Sequence, residues 1–132
     1  MERRNVNPWT WQDQFGFSQS VEVTGATRVV YCAGQAATAG DGSTLHAGDM
    51  RAQASAAFDN LEAVLRESGM TLANVVRLSY YVTDIDRYLG EAAETVGARL
   101  AASGVQPAST LLGISRLAFP DLLIEIEATA VA

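Results

Sequence analysis

The chain has 132 residues, 48% of them hydrophobic and 18% charged, with a net charge of −6. That length makes one domain, residues 1–132, and the nine basic residues scattered among fifteen acidic ones form no stripe for nucleic acid or an anionic membrane surface. A single cysteine, Cys32, and a single histidine, His46, are too few for a Cys/His metal site or an internal disulfide, although counting leaves carboxylate-bound magnesium open.

Met1 to Asn5 leads into Pro8, Trp9 and Trp11 and has no apolar signal core, and no run reaches the roughly 20 apolar residues of a membrane span. A cytoplasmic protein is expected. Phe17 to Thr24 reads as a strand, Gly25 as a tight turn, and Arg28 to Gly34 as the hairpin partner of that strand. Gln35 to Gly48 is a polar loop, and Asp49 caps a helix running to about Ser68. Along it Met50, Ala54, Ala57, Phe58, Leu61, Val64 and Leu65 recur at spacings of three and four, and Gly69 stands where a C-terminal glycine belongs.

Val75 to Thr83 is a third strand. Asp84 or Asp86 opens a second, alanine-rich helix to about Ser103, closed by Gly104. Ala108 to Leu117 and Leu122 to Val131 are two further strands, joined by a short turn at Pro120-Asp121. The predicted class is α/β, in the order ββαβαββ, with two helices covering one face of the sheet.

Alternation assigns the faces. Ile124, Ile126, Ala128 and Ala130 form a wholly apolar face, opposite Leu123, Glu125, Glu127, Thr129 and Val131. Val76, Leu78, Tyr80 and Val82 divide likewise from Val75, Arg77, Ser79, Tyr81 and Thr83. The second face is expected to mix Leu111, Tyr81, Val75 and Leu123 with Ser79, Ser109, Gly113 and Ser115. It reads as a subunit interface, the alternative being an open, solvated sheet face.

Glu125 and Glu127 stand about 6.6 Å apart along one strand face. Covered by a partner, such a carboxylate can act as a general base toward water; alternatively both glutamates pair with Arg77 or another arginine. Cys32, within RVVYCAG, reads as a small core residue rather than a nucleophile, and His46 as a loop residue. Trp9 and Trp11 either cap a hydrophobic ligand site or pack on the surface.

Several segments together resemble the Rid family, the reactive intermediate deaminases also called YjgF-like proteins. They are Gly16-Phe17-Ser18-Gln19-Ser20-Val21, Ala33-Gly34-Gln35, Asp49-Met50-Arg51-Ala52-Gln53, Asp59-Asn60-Leu61 and Val75-Val76-Arg77. The pattern continues through Tyr81-Val82-Thr83-Asp84, Pro107-Ala108, Arg116-Leu117 and Ile124-Glu125-Ile126-Glu127-Ala128, and spans about residues 14 to 131. The resemblance implies a chorismate-mutase-like fold and a homotrimer with clefts between subunits for small carboxylated metabolites. It also implies cofactor-free hydrolysis of enamines and imines such as 2-aminoacrylate.

The family's site residues carry over incompletely. Its deaminase arginine, after Pro-Ala, is Ser109 here; its strand-one tyrosine is Phe17, and a serine before Gly-Gln is Ala33. A helix-two asparagine falls at about Ala92, and the residue two past the arginine is Leu111. The carboxylate is kept as Glu125, with the backbone of Gly34. The resemblance thus implies a pocket of Phe17, Cys32, Ala33, Gly34, Ser109 and Leu111, with Arg77 on a plausible face and Glu125 as the acid/base. The expected function is chemistry on an imine, enamine or related intermediate, by water or proton transfer, with poor deamination of 2-aminoacrylate. The alternative is a trimer that binds a small molecule without chemistry.

Overall fold

In the computed structural model, which describes residues 1–132, the chain's strongest helix signal is realised almost as written. Helix α1 spans Met50–Glu67, and the Asp49 carboxylate accepts from the Ala52 N–H at 3.0 Å. Its stripe of Met50, Ala54, Ala57, Phe58, Leu61 and Leu65 is fully buried. The helix closes in a Schellman turn: Gly69, at φ +71°, donates to the Arg66 carbonyl and Met70 to that of Leu65.

Strands β1 (Glu2–Val6), β2 (Ser20–Thr24) and β3 (Val29–Ala36) precede α1; β4 (Val75–Val82), β5 (Ala108–Gly113) and β6 (Ile124–Val131) follow it. The main sheet has the order β3-β6-β4-β5, with β5 parallel to β4 and the other pairs antiparallel. Ile124, Ile126, Ala128 and Ala130 of β6 are buried under α1 together with Leu78, Tyr80 and Val82 of β4. An irregularity between Val75 and Arg77 puts Val75, rather than Val76, into that core.

The expected pair of helices is corrected to three. The second divides into α2 (Ile85–Glu91) and α3 (Ala93–Ala102), because Ala92 leaves the helical region at φ −127°, ψ −27°. Tyr88, Ala92, Val96 and Leu100 are all buried at intervals of four. On an unbroken helix each such step advances about 40° around the axis, so three would turn Leu100 about 120° away from Tyr88. The break turns both halves to the same core. Arg99 then ties α3 to α1 through Asp59, at 2.6 Å, and through Glu62, with its guanidinium over the Phe58 ring.

One strand pairing and one strand end also differ from expectation. β2 does not pair with β3; it pairs antiparallel with β1, supported by an Arg4–Glu22 ion pair at 2.7 Å, while β3 lies against β6. The strand expected to run from Ala108 to Leu117 stops at Gly113. Residues 114–123, longer than the short turn expected, cross over to β6, which lies between β3 and β4. The buried Gln53 amide secures that crossover, donating to the carbonyls of Leu45, His46 and Asp121 and accepting from the Leu123 N–H.

Candidate functional site

The parallel pairing of β5 decides where the candidate residues point. Ser109 stands opposite Leu78 and Leu111 opposite Tyr80, so both share the helix-covered side of β4. The face expected for Ser109 and Leu111 is therefore overturned. Thr110 takes the open face instead, where its hydroxyl accepts from Arg77 Nη2 at 2.7 Å.

At the free edge of β5 lies a cleft of about 820 Å³, bounded by the Asp13–Phe17 segment, α2 and α3. Phe17, Ser109 and Leu111 line it, together with Tyr80, Tyr88 and Gly97. Phe17 is held there by its neighbour: the Ser18 N–H donates to the Pro107 carbonyl at 3.1 Å and Ser18 bridges to Ala108. Gly16, at φ +73°, closes the one-turn helix Asp13–Phe15 and aims Phe17 inward. Trp11 stands edge-on to Phe17 at 5.7 Å and to Phe15 at 6.4 Å, so it backs the aromatic wall of the cleft.

Burial raises the Tyr80 and Tyr88 hydroxyls, that of Tyr88 to about 12, so both stay neutral at pH 7. The Ser109 hydroxyl donates to the Pro107 carbonyl at 3.1 Å. No lysine, arginine or histidine lines the cleft.

The open sheet face is different. Arg77, Ser79, Glu127 and Thr129 surround a depression of about 280 Å³, flanked by the almost fully exposed Tyr31. Glu127 does not pair with Arg77: its carboxylate accepts from the Tyr81 hydroxyl at 2.5 Å, and that bond raises the Tyr81 pKa. Glu125 is half-buried over the bulge where β3 slips against β6 between Cys32 and Gln35. Ala33 and Gly34 form the bulge. A Cβ placed on Gly34 would stand 2.7 Å from Glu125 Cδ, so a side chain at 34 would push the carboxyl group out of this position.

Cys32 borders the depression, but it belongs to the hydrophobic core, and burial raises its thiol. No hydrogen bond joins it to His46. Of the expected pocket residues, Phe17, Ser109 and Leu111 line the cleft, whereas Ala33, Gly34, Glu125 and Arg77 lie on the other side of the sheet and Cys32 borders the depression there. Tyr88 and Gly97, which complete the cleft, went unnoticed because their only signal is helical spacing, which core residues share. The Tyr81–Glu127 bond runs diagonally across the β4–β6 pairing, in which Tyr81 stands opposite Glu125, so spacing within either strand gives no sign of it.

Residues 12–132 match a family profile described as Endoribonuclease L-PSP. A RutC family protein of Pyrococcus abyssi is 29% identical over 114 residues, covering 86% of this chain and 84% of its own. Protein DfrA of Myxococcus xanthus is 31% identical over 116 residues, covering 88% and 85%. The crystal structure of YyfB, of the conserved Rid protein family of Yersinia pestis, is 38% identical and covers 100% of both chains at a TM-score of 0.84. A Mycobacterium tuberculosis member of the YjgF-type family is 32% identical at a TM-score of 0.65, covering 99% of this chain and 100% of its own.

Proposed function

This chain belongs to the Rid (YjgF-like) family, and we propose that it is a divergent member that hydrolyses a reactive imine or enamine in a cleft shared between copies. Water adds to the C=N carbon, the C–N bond breaks, the nitrogen leaves as an amine or ammonia, and a carbonyl remains. Glu125 takes and returns the proton. The observation that supports this reading is the close approach of Glu125 to the backbone of Gly34, where any side chain at 34 would push the carboxyl group aside.

Phe17, Ser109 and Leu111 line the cleft on one side of the sheet, whereas Glu125 lies on the other. In this reading a second copy, docked by its open face, brings its carboxylate to the cleft. Three copies is the number the resemblance implies. Exposed Val29, Tyr31 and Leu112 on or beside that face support self-association. Efficient deamination of 2-aminoacrylate is not part of the proposal, because Ser109 supplies no guanidinium for its carboxylate. An RNA substrate is disfavoured by the net charge of −6.

The test is ammonia release from imines generated in situ by an amino acid oxidase, with wild type and Glu125→Gln compared at equal trimer content in sedimentation. Loss of the acceleration in Glu125→Gln is expected; equal rates would remove Glu125 from the chemistry. A binding protein without catalysis is the second reading, favoured by the Ser109 hydroxyl being already engaged with Pro107. No acceleration across the panel, with a ligand retained in native mass spectrometry, would support it.

A further inference from the structure

We propose that the cleft beside β5 takes a protonated amine or iminium carrying an apolar, ring-sized body and no carboxylate, an inference that rests on reading this cleft as the substrate pocket. Its charged lining has one sign. Asp13, in the segment before Phe17, and Glu94, on α3, are acidic, and no basic side chain faces them across the cleft. A carboxylate entering there gains no countercharge from the cleft's own lining and meets two like charges, whereas a cation is attracted by both.

The walls favour the same ligand. Phe15, Phe17, Tyr80 and Tyr88 present aromatic surface to the cleft, and the negative faces of such rings attract cations. Both tyrosine hydroxyls remain protonated at pH 7, so they add polarity without further negative charge. The volume, about 820 Å³, lies in the range that encloses drug-sized molecules, far larger than a three-carbon imine needs. Trp11 stiffens the outer wall by its edge contacts with Phe15 and Phe17. The Phe17, Ser109 and Leu111 positions thus fit one change of ligand: less anionic grip, more apolar surface.

Titration calorimetry on the full chain tests this with three probes of similar shape: phenethylamine, hydrocinnamate and phenethyl alcohol. Phenethylamine is expected to bind at least about tenfold more tightly than hydrocinnamate, a difference of about 1.4 kcal/mol. Added salt should narrow the gap, and Asp13→Asn with Glu94→Gln should nearly close it. Location is checked by Gly97→Leu. A Cβ at Gly97 meets nothing within 4 Å, so a side chain there starts in open space at the cleft wall, and leucine should weaken every probe. Tighter hydrocinnamate binding that Gly97→Leu still weakens would overturn the ligand class and leave the cleft as the pocket. Binding indifferent to Gly97→Leu, or no binding of any probe, would overturn the pocket reading and the ligand class with it.

Discussion

The backbone of Gly34 lies against the carboxyl group of Glu125, with room for no side chain between them: a Cβ there would be 2.7 Å from Cδ and 3.0 Å from Oε2. What it would strike is the end of a flexible side chain, not backbone. Gly34→Ala should therefore fold, at a cost of about 1 kcal/mol, while pushing the carboxylate aside. The expected outcome is a melting temperature within a few degrees of wild type and ammonia release reduced as far as in Glu125→Gln. Full activity in Gly34→Ala would show that the position of the carboxylate does not matter.

Ser109→Arg addresses the group that is missing from the cleft. Ser109 is half-buried at the cleft edge, so a longer side chain can extend into the open volume. Losing an arginine paired with a carboxylate costs about 2–5 kcal/mol, or about 30- to 4,000-fold. Supplying one should raise kcat/KM for 2-aminoacrylate within that range while weakening phenethylamine binding. An unchanged kcat/KM would mean that the guanidinium cannot reach the substrate carboxylate from this position.

Local chemistry explains which parts of the fold were legible in the sequence. Helix α1 combines a cap, an apolar stripe and a C-terminal glycine, all acting within one segment, and each is realised. The apolar face of β6 was equally plain, because alternation needs no knowledge of neighbours. The pairing of β2 with β1 was hidden in Glu2-Arg3-Arg4-Asn5, which has no apolar period; its order comes from partners elsewhere, Glu22 and the Ala73 carbonyl among them. The orientation of Ser109 depends on β5 lying parallel to β4, and alternation within β5 alone cannot choose between two faces. For the same reason Glu125 was identifiable as a candidate, but its separation from Ser109 by the thickness of the sheet was not.

The buried Tyr88 gives the chain a specific alkaline weakness. Its pKa rises from about 10 unfolded to about 12 folded because burial penalises the phenolate. The stabilising effect of keeping it neutral is fully present below about pH 10 and is lost as pH climbs from about 10 to 12, by up to about 3 kcal/mol. Tyr88→Phe cannot ionise and should flatten that part of the decline. Urea denaturation at pH 8 and 11 measures it, and parallel slopes for both proteins would assign the alkaline loss to other groups, Tyr80 foremost.

Gln53 is wholly buried and binds at both ends of its amide. Its Nε2 donates to Asp121 at 2.9 Å, Leu45 at 3.2 Å and His46 at 3.3 Å, and its Oε1 accepts from Leu123 at 2.7 Å. The chain leaving this knot enters β6 at Ile124 and reaches Glu125 one residue later. Gln53→Met keeps most of the volume and removes every one of these bonds, leaving backbone groups unpaired at a cost of about 3 kcal/mol in all. Gln53→Ala adds a cavity and should lose more still. Denaturant midpoints for the two variants separate the terms: methionine matching wild type would mean that water satisfies the freed groups. The same knot sets the start of β6, so Gln53→Met should also lower kcat on any accelerated imine with little effect on KM. A change confined to stability would limit Gln53 to holding the crossover.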